Sequence, residues 1–309
     1  MDRFEAMRTL IAAVDWGSLS AASRAIGVPL PTVSRRVSDL EAHLGTQLLV
    51  RTSRKLILTE AGTAYVASVR RVLEELGEAE RVASGEYRAP RGELLVTAPI
   101  MFGKLHVAPI VHEFLGVYPD VTVRLVLADN MVDLIENHVD VALRIGQLPD
   151  SSLIAKRVGH IRWVICASPD YLERRGSPTA PAALADHDCI AFEGLQTYRS
   201  WPFGVGPNAT VVTIHPRFSV NTADAVIAGA VAGLGCARMM SYQAAQTVAD
   251  GGLTPILERY APLKTPVHLV HAAQPLQPLK QRAFMEFVAP RLALALERVE
   301  RAFDLAADR

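Results

Sequence analysis

The sequence predicts an α/β protein that carries a small winged helix-turn-helix module ahead of its sheets. Two observations lead there. Residues 1–58 hold three short apolar patterns at helical spacing and a hairpin pattern, whereas from residue 92 strand and helix patterns alternate. Alternation of this kind is typical of an α/β domain with a largely parallel sheet. The expected domains are 1–58, a linker helix at 59–89, and 90–309.

The helices of the first module have recognisable ends. Gly17 separates the first helix from the second, and Gly27 closes the second. Pro29 and Pro31 open the third helix, where a missing N–H costs nothing. Its expected buried face is Val33, Val37, Leu40 and Leu44. A helix, a tight turn and a second helix make a helix-turn-helix.

The linker helix carries a heptad seam. Its apolar residues recur at intervals of four and three, which is the pattern of helix-to-helix pairing. The seam is Tyr65, Val69, Val72, Leu76, Ala79 and Ala83. An amphipathic helix packed on its own domain is the alternative. Because few early residues could cover so long a helix, we favour dimerisation between two chains.

The pattern of the third domain fits two lobes with a cleft between them. Expected strands are 94–97, 121–127, 139–145, 161–167, 189–192, 210–219, 235–239 and 266–272, and expected helices are 103–117, 131–138, 169–175, 222–233, 241–249 and 279–303. Lobe I takes about 90–162 and 267–309, and lobe II about 163–266. A cleft beyond strand ends is where ligands usually bind in such folds.

The composition is that of a folded protein with a substantial core. The chain has 309 residues, of which 50% are hydrophobic and 21% charged, and its mean hydropathy is +0.19. These values exclude disordered and collagen-like chains. No uninterrupted apolar run has membrane-spanning length, and the charged start Met1-Asp2-Arg3 lacks the pattern of a secretory signal. We expect a cytoplasmic protein with no membrane partner.

The net charge of zero hides an uneven distribution. The chain has 32 basic and 32 acidic side chains, which taken alone argues against binding to nucleic acid. Residues 24–55, however, carry six basic side chains against two acidic ones, and residues 59–86 carry three against six. A compact basic module is therefore followed by an acidic helix.

The third helix and the hairpin tip form the candidate DNA-reading surface. A helix in the major groove buries one face and presents the other to base edges. Arg35 can bond guanine in a bidentate manner, and the nearby hydroxyl groups can serve bases or phosphates. The candidate DNA-binding residues are Pro31, Thr32, Ser34, Arg35, Ser38, Arg51, Arg54 and Lys55. The alternative is a structural module with a solvated charged face.

A spaced set of residues in this module matches a known pattern. The set is Ala21-Ala22, Val33-Ser34, Leu40-Glu41, Leu44-Gly45, Leu48, Arg51, Leu58-Thr59 and Ala61-Gly62. On these residues the chain resembles the LysR-type bacterial transcriptional regulators. The segments LVTAPIMFG, DLIENHVDVALRIGQLPDSSLIAKRV and CASPDYLERRGSP resemble the co-inducer domain of the CrgA- and AaeR-like subgroup. Pro29, Pro31 and Leu49 depart from the common pattern.

The resemblance implies a regulator that binds double-stranded DNA and senses a small-molecule effector. It implies a winged helix-turn-helix, a dimer formed through the linker helix, and a two-lobed domain like type 2 periplasmic binding proteins. It also implies homotetramers, as dimers of dimers, on interrupted inverted repeats. A member that activates transcription would contact RNA polymerase, and no cofactor is expected.

The same resemblance assigns the effector cleft. Three loops line it, and their residues here are Ile100, Met101, Phe102, Arg144, Gly146, Gln147, Asn221 and Thr222. Many members have Ser or Thr near the position of Ile100, so an apolar residue there favours a more apolar effector. A helix that starts at Thr222 offers free N–H groups to an anion. The alternative for Met101 and Phe102 is simple core packing.

Other chemistry has little support in the sequence. The triplet His187-Asp188-Cys189 holds nucleophile-type residues, but neighbours in a strand point in different directions. Cys166, Cys189 and Cys236 have no ligand spacing for zinc and suit a reducing compartment. We expect no catalytic and no metal-binding residues. The rivals are a transporter's solute-binding protein, which the first 90 residues disfavour, and an enzyme that uses the cleft.

Overall fold

The structure is a computed structural model of the chain. It describes residues 1–51, 56–83, 89–130, 132–149, 152–194, 199–204, 206–262, 264–274 and 277–307. The chain divides into two compact units, Met1–Arg88 and Ala89–Arg309.

The first unit is a bundle of helices with a small hairpin. Its described elements are α1 (Arg3–Asp15), α2 (Leu19–Ile26), α3 (Leu30–Leu44), β1 (Leu49–Arg51), β2 (Leu56–Leu58) and α4 (Glu60–Ala83). The side chain of Asp2 caps α1, and that of Ser18 caps α2. Gly27 and Gly45 close α2 and α3 in the left-handed conformation, as the sequence predicts. Strands β1 and β2 pair in an antiparallel manner.

The helix-turn-helix core forms where these elements meet. It buries Ala6, Leu10, Val37, Leu40, Leu48, Leu49 and Val66. Tyr65 packs against this cluster from α4, and Val69 is only 2% exposed. Val69 is therefore covered by its own unit and is not available to a partner chain, whereas Tyr65 is only partly covered. Val72 is 44% exposed, so the exposed apolar face begins about one turn further along α4.

The second unit contains two five-stranded sheets, one in each lobe. The lobe I sheet has the order β4-β3-β5-β14-β6. Its strands are β3 (Gly92–Ala98), β4 (Val121–Leu127), β5 (Val141–Ile145), β6 (Leu153–Ile161) and β14 (Thr265–Ala272). Strand β3 pairs with β4 and β5 in parallel, but β14 is antiparallel to both β5 and β6. The sheet is mixed, whereas the sequence predicts a largely parallel one.

The lobe II sheet has the order β11-β8-β12-β7-β13. Its strands are β7 (Trp163–Ala167), β8 (Cys189–Phe192), β11 (Pro216–Val220), β12 (Cys236–Met240) and β13 (Thr254–Ile256). Strands β11, β8 and β12 run parallel, and β7 is antiparallel to β12 and β13. A separate antiparallel hairpin joins β9 (Ser200–Phe203) to β10 (Thr210–Thr213). The single strand expected at 210–219 is therefore two strands of different sheets.

Helices cover both sheets. They are α5 (Ile100–Phe102), a π-helical turn (Gly103–Val107), α6 (Ala108–Val117), α7 (Pro169–Arg175), α8 (Ala223–Val231), α9 (Ser241–Ala249) and α10 (Leu279–Ala307). The stretch Ile100–Val117 is long and apolar enough to cross a membrane by length and composition alone. Its side chains Phe102, Ile110 and Phe114 are buried in the lobe I core, which accounts for its apolar character.

Two further expectations of the sequence are wrong. Residues 134–138 form turns where the sequence predicts a helix over 131–138, and His138 at their end adopts a left-handed φ of 54°, which stops a helix. Strand β6, at one edge of the sheet, has no counterpart among the predicted strands. Its middle residues Lys156 and Arg157 are exposed, so it lacks the alternation that reveals a half-buried strand.

Candidate DNA-reading surface and effector cleft

Helix α3 turns one face inward and the other to solvent. Val33 and Val37 are fully buried. On the opposite face Pro31, Arg35 and Ser38 are exposed, while Thr32 and Ser34 are half-buried. The surface that the sequence predicts on this helix thus exists as one continuous face.

Adjacent arginines of α3 have different environments. The guanidinium of Arg36 lies 3.1 Å from the Glu5 carboxylate and donates to Thr9 Oγ1 at 3.4 Å, so it ties α3 to α1. Arg35 is exposed, and within the described ranges no ion pair holds its guanidinium. Arg35 is therefore available to an external acceptor, and Arg36 is committed to the fold.

Glu41 anchors the hairpin to α3. Its Oε1 accepts hydrogen bonds from the backbone N–H groups of Leu48 (2.8 Å) and Leu49 (3.0 Å). Thr59 then joins the end of the hairpin to α4, because its hydroxyl donates to the Gln47 carbonyl and accepts from Gly62 N–H. Sequence reasoning gave Glu41 no role, although the matched pair Leu40-Glu41 contains it.

Of the three basic residues of the expected wing, Arg51 lies within the described residues. Arg51 ends β1 and is paired with Leu56 across the hairpin. Arg54 and Lys55 lie outside the described residues. Strands β1 and β2 therefore flank the expected cationic tip.

On the lobe I side, the candidate effector-binding residues Ile100, Met101 and Phe102 differ in exposure. Ile100 is 46% exposed, and its N–H donates to Asp129 Oδ1 at 3.0 Å. Phe102 is 0% exposed and packs edge-on to Tyr242, with ring centroids 5.0 Å apart. Assignment of Phe102 to the cleft lining is therefore wrong, since its ring lies in the core. Met101 is partly buried and touches the cores of both lobes.

Arg144 is the second-last residue of strand β5 and is half-buried. Its guanidinium donates to the carbonyl of Val132 at 2.7 Å, and burial lowers its pKa. Gly146 follows with φ of +114°, a conformation that favours glycine, and Gln147 is exposed. This loop presents backbone and an amide side chain, while the Arg144 charge already has one carbonyl partner.

On the lobe II side, Asn221 and Thr222 are exposed at the start of α8. Thr222 is the N-cap residue, and its side chain makes no capping bond. Asp224 lies in the first turn of α8, 4.0 Å from the Lys104 ammonium group. A carboxylate in the first turn already takes up the favourable potential of the helix N-terminus. This arrangement favours a neutral or weakly charged effector over an anion.

A small aromatic contact joins the two lobes behind these loops. Tyr242 at the start of α9 lies between Phe102 and His106, whose ring is 5.9 Å away. Burial lowers the pKa of His106, and its Nε2 is buried without a hydrogen-bond partner in the described part of the chain. His106 belongs to the π-helical turn, and such turns are frequent near functional sites.

The nucleophile-type residues do not form a reactive constellation. His187 Nδ1 pairs with the Tyr171 hydroxyl at 3.1 Å, and the Cys189 thiol donates to the Leu184 carbonyl. All three cysteines are buried, and burial raises the pKa of Cys189 and of Cys236 to about 12. Among the described residues, no group of three or more His, Cys, Asp or Glu could hold a metal ion.

The helix-turn-helix and the two-lobed unit together define a class, the DNA-binding regulators that carry a ligand-binding domain. Residues 4–63 match the family described as bacterial regulatory helix-turn-helix protein, lysR family, and residues 88–293 match the LysR substrate binding domain. The chain belongs to the LysR-type transcriptional regulators, with a DNA-binding helix-turn-helix and an effector-binding substrate domain.

Several regulators are similar along nearly the whole chain. An HTH-type transcriptional repressor of Pseudomonas aeruginosa is 33% identical, over 93% of this chain and 92% of that protein. CrgA of Neisseria meningitidis serogroup C is 31% identical, over 93% and 96%. The solved CrgA structure has a TM-score of 0.61 at 30% identity, covering 93% of this chain and 98% of that one. The full-length Vibrio cholerae virulence activator AphB has a TM-score of 0.59 at 28% identity, covering 92% and 97%. These relatives are regulators and not solute-binding proteins of transporters.

Proposed function

We propose that α3 reads base edges through Arg35, with Pro31, Thr32, Ser34 and Ser38 beside it, while Arg51, Arg54 and Lys55 meet the DNA backbone. The contrast between Arg35 and Arg36 carries this proposal. Two adjacent arginines have the same charge, but only Arg35 presents an exposed guanidinium suited to guanine O6 and N7.

The proposed effector is a small, largely apolar molecule bound between the lobes. Exposed Ile100 and partly buried Met101 supply an apolar wall, and Gly146, Gln147, Asn221 and Thr222 supply polar groups around it. Arg144 contributes at the edge through its guanidinium. The Asp224–Lys104 pair supports the choice of a weakly charged effector.

The proposed assembly pairs two chains through the second half of α4. Val72 is exposed there, and the seam continues through Leu76, Ala79 and Ala83. Dimers then associate into a homotetramer that spans an interrupted inverted repeat of double-stranded DNA. A regulator of this kind works in the cytoplasm, has no enzymatic activity, and contacts RNA polymerase where it activates transcription.

The proposal is tested by footprinting the full chain on the DNA upstream of its own gene, with and without a panel of small metabolites. We expect a protected inverted repeat whose spacing changes with at least one apolar member of the panel. Absence of any protected repeat would remove the DNA half of the proposal. A footprint that no compound changes would remove the sensing half.

A further inference from the structure

The two lobes are joined by two short crossovers, and both meet helix α10. The first crossover is Arg162, the only residue between β6 and β7, and the second is the segment between β13 and β14. Helix α10 belongs to both lobes, because Leu296 and Val299 pack in the lobe I core and Phe303 packs in the lobe II core. Glu300 lies on α10 between these two sets of contacts.

Glu300 contacts cations from both crossovers. Its Oε2 lies 3.0 Å from Lys264 Nζ, which precedes β14, and its Oε1 lies 3.8 Å from Arg162 Nε. His160, near the end of β6, is 3.8 Å from Oε2. The Glu300 side chain is only 14% exposed, so water screens these pairs less than it screens a surface ion pair.

Arg162 extends the same network to the other side. Its guanidinium lies 3.9 Å from Glu258 in the second crossover and 3.5 Å from Asp304 on α10. Its backbone carbonyl accepts from Ser241 N–H at 2.7 Å, which fixes the first crossover to the start of α9. A rotation of one lobe against the other about the crossovers must therefore change the distances around Glu300.

We infer that Glu300 is a positioning residue that holds both crossovers to α10, as a clasp, and so restrains the angle between the lobes. This inference rests on the proposed sensing role of the cleft. The Arg162 Nε and Glu300 Oε1 atoms are buried 3.8 Å apart, and neither has a hydrogen-bond partner in the described segments. A small rotation of the lobes could bring these two atoms into hydrogen-bond distance and satisfy both of them. The Arg162–Glu300 contact is therefore sensitive to the angle between the lobes.

Amide hydrogen exchange of the full chain, with no effector or DNA, tests the clasp. Glu300→Gln removes the carboxylate charge and leaves the Lys264 and Arg162 cations without their shared anion. We expect the amides of 154–166 and 254–268 to exchange about tenfold faster, while those of 121–127 and 169–175 change little. Glu297→Gln is the matched control, since Glu297 is one turn earlier on α10, 62% exposed, and paired only with Arg301 among the described groups.

A distance measurement separates a change of lobe angle from simple loosening. Nitroxide labels at Gln147→Cys and Asn221→Cys span the cleft, and the buried native cysteines stay unlabelled. With labelled chains diluted in unlabelled protein, Glu300→Gln should shift or widen the distance distribution, and Glu300→Asp, which keeps the charge, should lie closer to the parent. Lys264→Gln should give a smaller change in the same direction.

The inference is overturned if Glu300→Gln gives the same exchange pattern as Glu297→Gln, or if its distance distribution coincides with that of the parent. Uniformly faster exchange over the whole unit would also overturn it, because that outcome marks a general loss of stability. Since neither measurement involves an effector or DNA, its failure leaves the footprinting result unaffected. An effector-insensitive footprint likewise leaves the clasp measurement unaffected.

Discussion

The Glu41 carboxylate accepts a 2.8 Å hydrogen bond from the backbone N–H of Leu48, and through it helix α3 holds the start of the hairpin. The same oxygen serves Leu49 N–H at 3.0 Å, so one side chain satisfies two amides of the hairpin. The position of the hairpin relative to α3 therefore depends on a residue outside the candidate DNA-binding set.

Replacing Glu41 should detach the hairpin. Glu41→Ala leaves two amide groups without an acceptor, and we expect a loss of about 1–3 kcal/mol in the unfolding free energy of the first unit. Glu41→Gln keeps an acceptor oxygen and should lose less. Thermal unfolding of the full chain and DNA affinity measure the two effects. Equal stability of Glu41→Ala and the parent protein would contradict the anchoring role.

Arg35→Ala should reduce recognition of one base pair. Loss of a bidentate contact is expected to cost about 1–3 kcal/mol in operator binding and to relax preference at one operator position. Arg36→Ala is the matched control and should mainly lower stability, since Arg36 pairs with Glu5. Binding to a panel of single-base operator variants provides the measurement. A uniform loss on all of them would place Arg35 on a phosphate.

Gly62→Ala should push α4 away from the hairpin. A Cβ at Gly62 would lie 2.0 Å from the Leu48 backbone carbonyl oxygen, and this backbone atom has no rotamer through which to move aside. We expect a loss of about 1–3 kcal/mol in unfolding free energy. Gly116→Ala, where nothing lies within 4 Å, should be neutral or slightly stabilising. Denaturant unfolding compares the two variants, and equal effects would contradict the close approach.

Ile100 and Phe102 should separate ligand sensing from folding. Phe102→Ala opens a cavity in the lobe I core and should cost about 3–5 kcal/mol of stability. Ile100→Ala alters an exposed side chain and should change stability by no more than about 0.5 kcal/mol. Thermal unfolding without ligand checks both values. A large loss from Ile100→Ala would move Ile100 from the cleft wall into the core.

Stability should fall in alkaline solution through the buried thiols. Burial raises the pKa of Cys189 from 9.0 to about 12, so the folded state keeps its proton where the unfolded state has lost it. The stabilisation is complete below pH 9 and is lost progressively as pH rises towards 12. The melting temperature should therefore decline as the pH rises above 9, and less steeply in Cys189→Ala. Identical slopes would indicate that the thiol ionises equally in both states.

Local signals in the chain were sufficient for the elements of the first unit. Gly27 and Gly45 end their helices as predicted, because a left-handed cap needs only the residue itself and its immediate neighbours. The spacing of Val33, Val37 and Leu40 identifies the buried face of α3 and therefore also its exposed face, but Leu44, the fourth residue expected on the buried face, is exposed. Strand β4 likewise begins at Val121 and ends at Leu127 as predicted, because its pattern is local to the strand.

Contacts between segments that are far apart in the sequence decided which apolar side chains are buried and which charged side chains are paired. Nothing near Val69 or Phe102 in the chain reveals whether solvent, a second chain or the domain's own core covers these apolar side chains. Arg35 and Arg36 are neighbours with equal charge, and only Glu5 on α1 distinguishes them. The three basic residues around Glu300 come from positions up to 140 residues away, as His160 does. Periodicity and caps act over one or two turns, whereas burial and ion pairing depend on which surfaces the folded chain brings together.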